Sequence, residues 1–198
     1  MSERCTRKSA ENLTNYVVKK ANEFSVSSCE RKIIERQLDT EPYNVLAVVK
    51  RCASGFPRIL LVHPFYQGEV FPTIFWLSCP ELRERIFALE DGGLLEKITD
   101  REAVSSAFSQ EMQDAHTEYA HCRRELISGE KWQEAARISE DIIYTLKNSG
   151  VGGIRTSSGI KCLHAHFAHY LAGGKNPAGK STAEALEFPW LCRRCYNL

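Results

Sequence analysis

The sequence predicts an α+β fold, a small antiparallel three-stranded sheet covered by several helices. Three observations carry that prediction. Apolar, β-branched runs at 45–51, 58–63 and 73–78 alternate with turn residues, helical periodicities flank them on both sides, and 198 residues at 43% hydrophobic content suffice for one substantial core. The same pattern divides the chain into a helical N-terminal extension, 1–40, and a single α+β core domain, 41–198, whose C-terminal tail is a candidate mobile segment.

Each element has its own justification. Ser9 suits the N-cap of a helix over 9–24, where Leu13, Val17, Ala21 and Phe24 recur at helical spacing. Ser27 and Glu30 form the S-x-x-E capping box ahead of Ile33, Ile34 and Leu38, and "DTEPYN" breaks that pattern. The strands "VLAVVKR", "RILLVH" and "TIFWLS" follow, with "CASGFP" between the first two and the turn-rich "PFYQGEVFP" before the third. Pro80 fits the first turn of a helix with Leu82, Ile86 and Leu89 on one face, stopped by Gly92 and Gly93. Long helical patterns continue over 100–127 and 130–148, the second turning Trp132, Ala136, Ser139, Ile143 and Leu146 inward.

Charge and cysteine content narrow the function classes. With 26 basic and 25 acidic residues the net charge is +1, so there is no general nucleic-acid or membrane attraction. No apolar run approaches the roughly 20 residues of a membrane span, and "MSERCTRKSAENL" lacks the apolar core of a signal peptide. A cytoplasmic protein is expected. Its eight cysteines then read as metal ligands, reactive thiols or buried residues rather than a disulfide framework.

The chemistry concentrates in "GIKCLHAHFAHYLAGG", residues 159–174. On a helical wheel Cys162, His166 and His169 fall within an arc of roughly 60°, with His164 near the apolar edge. C-x3-H-x2-H thus offers one sulfur and two imidazoles, and a fourth position is open to another cysteine or to water. Cys79, at a strand-to-helix junction, is the second candidate thiol, because free N–H groups and the helix dipole favour a thiolate there. If Cys52 ends the first strand and Cys79 follows the third, both emerge at one end of the sheet, where the Cys162 helix is expected to dock.

"VVKRCASGFP", "FPTIFWLSCP", "GIKCLHAHFAHYLAGG" and "NPAG", in that order, resemble the domain of unknown function 501 family of small bacterial proteins. The resemblance covers about residues 38–180. It implies that Cys52, Cys79, Cys162 and the following histidines belong to the family pattern, fits Cys162, His164 and His169 better than His166, and implies no reaction. The identity of the imidazole ligands stays open between the two choices.

Other motifs carry less. "GKNPAGKS", 174–181, satisfies the phosphate-cradling G-x-x-x-x-G-K-[ST], but follows a helix instead of a strand and precedes no later Asp, so nucleotide binding is not expected. Cys192 and Cys195 form a lone C-x-x-C. His116, Glu118, Tyr119, His121, Arg123 and Arg124 could line a site, yet a solvated helix face explains them more simply, and His63 at a strand end reads as structural.

Three function classes stand. The first is a Cys/His metal site built from Cys52, Cys79, Cys162, His164, His166 and His169, preferring zinc, with an iron–sulfur cluster not excluded. The second is an enzyme using the Cys79 thiolate as its catalytic nucleophile with a histidine base. The third is a non-catalytic protein-interaction domain with buried cysteines.

Overall fold

The computed structural model describes residues 12–23, 26–187 and 194–197. Helix α1 (Leu13–Glu23) begins where the Asn12 side chain accepts the Thr14 N–H at 2.9 Å; the expected cap, Ser9, lies outside the described residues. Helix α2 (Ser28–Leu38) carries the reciprocal Ser27–Glu30 capping box and ends at Asp39 in the left-handed conformation.

The sheet has the order β1 (Val45–Arg51), β2 (Pro57–Val62), β5 (Phe75–Leu77), antiparallel throughout. The turn-rich stretch before the last strand folds into a small hairpin, β3 (Phe65–Tyr66) and β4 (Glu69–Val70). Gln67 and Gly68 between them both take positive φ, 51° and 81°, as a primed two-residue turn requires.

Helix α3 (Pro80–Asp91) starts with proline after Cys79 and stops at Gly92. The two long helical stretches are each broken by one serine: α4 (Leu94–Val104) and α5 (Ser106–Glu125) meet at Ser105, α6 (Gly129–Ile138) and α7 (Glu140–Asn148) at Ser139. Both serines adopt extended backbone and accept the next helix's first-turn N–H, from Phe108 and Asp141 respectively. Ser139 is therefore a helix boundary and not an inward-facing helical residue.

A glycine-rich connector with a 3-10 turn at Val151–Gly153 leads to α8 (Leu163–Ala172) and α9 (Pro177–Ala185). Helix α8 is apolar nearly all round and lies at the centre, with Leu163, Ala165, Phe167, Ala168 and Ala172 in the main cluster beside Ile59 and Leu61 of β2, Phe75 of β5 and Leu13 and Val17 of α1. A second cluster joins Ile34 of α2 to Val45, Leu60 and Val62 across the other side of β1 and β2. No described helix is long and apolar enough to cross a membrane.

Candidate functional site

Helix α8 begins one residue after Cys162, whose backbone is extended (φ −158°, ψ 146°), in a connector that also holds Gly159 at φ 110°. Cys162 is thus the N-cap, and a wheel counted from it does not give the direction of its side chain. The histidines accordingly divide. His166 and His169 are fully buried, whereas the His164 side chain is 18% exposed at the molecular surface.

The inner pair is locked by Asn176, the N-cap of α9. Its Oδ1 accepts the Gly179 N–H at 2.8 Å, which identifies the other amide atom as the donor. The two amide hydrogens then serve Nδ1 of His166 at 3.1 Å and Nδ1 of His169 at 3.2 Å, so both rings carry their proton on Nε2. His169 is held between Phe75, stacked at 5.9 Å, and Tyr119, edge-on at 5.0 Å. Its Nε2 lies 3.4 Å from Glu118 Oε2, an electrostatic contact too long to satisfy the nitrogen fully. The Glu118 carboxyl is nevertheless held below its usual range, chiefly by that His169 partner. Nε2 of His166 is buried without a hydrogen bond, and burial pushes this imidazole down to about 3. The glycines accommodate the rings: a Cβ at Gly174 would overlap His169 Nε2 and Cδ2, and one at Gly150 would overlap His116 Nδ1.

His116 belongs to the same interior. Its Nδ1 accepts the Val151 N–H at 3.0 Å, so Nε2 is the donor to the Gly159 carbonyl at 3.1 Å, and burial lowers its pKa. The face of α5 that reads as solvated from sequence is therefore a packed one. His116, Tyr119 and Arg123 are buried on it, while His121 stays exposed. Tyr119 Oη accepts the Ile74 and Phe75 N–H groups at 2.7 and 3.2 Å, and burial raises its pKa. Arg123, fully buried, gives Nε to Leu146 O at 2.9 Å, Nη1 to Pro72 O at 3.0 Å and Nη2 to Ser149 O, and desolvation lowers it to about 10. Their spacing, i, i+3 and i+7, was the available signal for one buried face.

The outer histidine and Cys162 border a cleft of about 370 Å3. Trp76, Phe87 and Leu77 form an apolar wall, Arg83 and Lys161 supply cations, and among the described residues the adjoining carboxylate, Glu90, stands behind His164. His164 packs on the Phe87 ring at 4.3 Å. Its Nε2 faces the Arg83 carbonyl at 3.1 Å and its Nδ1 faces Glu90 Oε2 at 3.4 Å. Glu90 also accepts the Leu163 N–H at 2.6 Å, which ties the first turn of α8 to α3. Burial, and after it the nearby Glu90 charge, pushes the Cys162 thiol up, opposed by the backbone N–H groups of Ala165 and His164 at the helix start and by Lys161.

The remaining sequence candidates do not join this cleft. Cys52 sits half-buried at the β1–β2 turn, its N–H bonded to Phe56 O and its carbonyl to Gly55 N. Cys79 is 3% exposed in the main cluster, capping α3 by position without a side-chain cap bond, so it is placed poorly for a nucleophile. Cys195 is buried where Gln37 Nε2 reaches its sulfur at 3.3 Å, and Cys192 lies outside the described residues. Among the described residues no three His, Cys, Asp or Glu side chains gather as a metal-holding group. The donor chemistry explains this: Asn176 engages Nδ1 of His166 and His169, and both nitrogens of His164 face acceptors. The expected zinc site is therefore unsupported among the described residues. "GKNPAGKS" joins α8 to α9, with no strand before it.

No curated protein and no solved structure matches the chain. One family model, described as a protein of unknown function, matches residues 48–184, from within β1 to the last turn of α9, and so takes in the cleft, the buried histidines and the Asn176 cap. On that match the chain belongs to the domain of unknown function 501 family.

Proposed function

We propose that the cleft beside Cys162 and His164 binds a small organic acid with an apolar body. The observation that carries this reading is the lining itself, an aromatic wall of Trp76 and Phe87 facing the cations Arg83 and Lys161, while the neighbouring Glu90 carboxylate is taken up by His164 and the Leu163 N–H. An apolar ligand body would displace water from the rings, and its acidic group would meet the Arg83 and Lys161 cations. The second reading, an enzyme that uses a cysteine, moves from Cys79 to Cys162. It is favoured by the sulfur's place at a helix start, where the backbone N–H groups of Ala165 and His164 reach it. A zinc reading finds in this cleft only one sulfur and an imidazole already occupied, short of the three or four ligands zinc takes.

The test is a titration of the wild-type chain with aromatic and branched aliphatic carboxylic acids, followed by ligand-observed NMR. Saturable binding that weakens in Lys161→Gln and Phe87→Ala supports the site. Absence of binding at millimolar acid, or binding indifferent to both substitutions, overturns it.

A further inference from the structure

A separate cavity of about 300 Å3 lies between α5, the C-terminal end of α7 and residues 155–157 of the connector. Three cations from those three segments line it, Arg124, Lys147 and Arg155, together with the hydroxyl residues Thr156 and Ser157 and no carboxylate. We propose that this pocket binds a phosphate group, inorganic or carried as a small phosphomonoester.

The charges around it are only partly engaged. Arg155 meets Asp141 Oδ2 at 2.7 Å and Thr145 Oγ1 at 2.6 Å and lies 5.2 Å from the Tyr144 ring centre, the Thr156 hydroxyl donates to Ser158 O at 2.6 Å, and Asp141 itself is 68% exposed and outside the lining. Arg124 gives Nη1 to Lys147 O at 2.8 Å, covering one of the carbonyls that would otherwise turn the negative end of α7 toward an anion. Lys147 Nζ lies 5.6 Å from the Trp132 ring centre, a cation–π contact outside the lining that an anion in the cavity would compete with. A guanidinium offers five donors and an ammonium three, so each cation retains some after its present contacts. His116 on the pocket wall accepts a backbone N–H and donates to a carbonyl, so it adds a neutral ring. Three cations disposed around one cavity suit a dianion with several oxygens better than a monocarboxylate, which needs a single fork.

The connector is fixed on this side as well. Gly159, at φ 110°, donates its N–H to both oxygens of Glu102 at 3.0 and 3.1 Å while His116 holds its carbonyl, so residues 155–157 start from a pinned end. That anchoring limits the ordering cost of gripping an anion.

Calorimetric titration of the intact protein with inorganic phosphate and with phenyl phosphate, at constant ionic strength set by KCl, tests the proposal. Saturable binding at about 1 mM or tighter is expected, weakened about tenfold in Arg155→Gln and in Lys147→Gln and unchanged in Lys180→Gln. Tighter binding of phenyl phosphate identifies an organic phosphate as the preferred form, and equal binding identifies the bare anion. No saturation by either compound, or saturation that survives both pocket substitutions, overturns the site. Both pocket side chains are exposed, and a thermal melt of each variant identifies any loss of folding.

Discussion

Asn176→Ala should be far more damaging than the loss of a surface cap. The side chain is 2% exposed and makes three bonds at once, to the Gly179 N–H and to Nδ1 of His166 and of His169. Loss of the cap costs about 1 kcal/mol, and each buried ring nitrogen left without its donor costs about 1.5 kcal/mol. Together these come to about 4 kcal/mol, or a fall of about 12 °C in Tm for a chain of this size. Urea unfolding followed by far-UV circular dichroism measures it. Asn176→Asp separates the two contributions: it keeps an oxygen for Gly179 but removes both donors, and the rings can only respond by moving their protons to Nδ1, which takes the proton away from the Glu118 side of His169. An intermediate loss is expected for this variant. A loss below 1 kcal/mol for Asn176→Ala, or an Asp variant as stable as wild type, would refute the reasoning.

Three further outcomes follow from the same geometry. Gly174→Ala should destabilise by more than about 2 kcal/mol, because a Cβ overlaps a His169 ring already fixed between Phe75 and Tyr119; an Ala variant with an unchanged urea midpoint would show the ring can move aside. His166, near 3 when folded and near 6.5 when unfolded, binds its proton more readily in the unfolded chain, so its contribution is complete above pH 6.5 and drains away as pH falls toward 3. Between those limits wild type should lose about 1.4 kcal/mol per pH unit more than His166→Gln, and parallel stability curves for the two proteins would contradict it. Lys180→Ala removes only an exposed i,i+4 contact to Glu184 at 3.9 Å, so its urea midpoint should stay within about 0.5 kcal/mol of wild type, and magnesium-dependent nucleotide binding lost in that variant would restore the phosphate-loop reading of "GKNPAGKS".

The sheet, the capping box and α3 were legible because each depends on local signals: apolar β-branched runs bounded by turn residues, S-x-x-E, and proline followed later by paired glycines. Ser105 and Ser139 were not, since a serine inside a helical period looks like an ordinary polar position until its backbone turns extended and its hydroxyl caps the next helix. The histidine-rich helix was legible as a site of chemistry, but its donors could not be assigned. Asn176 lies seven residues beyond His169 and reaches back only because α9 folds against α8, and Glu90 and Arg83 reach His164 from α3. Cys79 looked reactive because of its place before a helix, and what decides otherwise is long-range burial against Leu163, Ile86 and their neighbours.

The claim that the Cys162 cleft attracts small acids is tested most directly by comparing two alkylating reagents of similar size, neutral iodoacetamide and anionic iodoacetate, with the labelled cysteines resolved by peptide mass spectrometry. Arg83 and Lys161 should outweigh the Glu90 carboxylate, which is paired with His164 and the Leu163 N–H, so the iodoacetate-to-iodoacetamide rate ratio at Cys162 in the native protein should exceed that of the same cysteine in the unfolded chain several-fold, and fall in Lys161→Gln. A native ratio at or below the unfolded one, or a Cys162 that labels only on unfolding, would contradict the account.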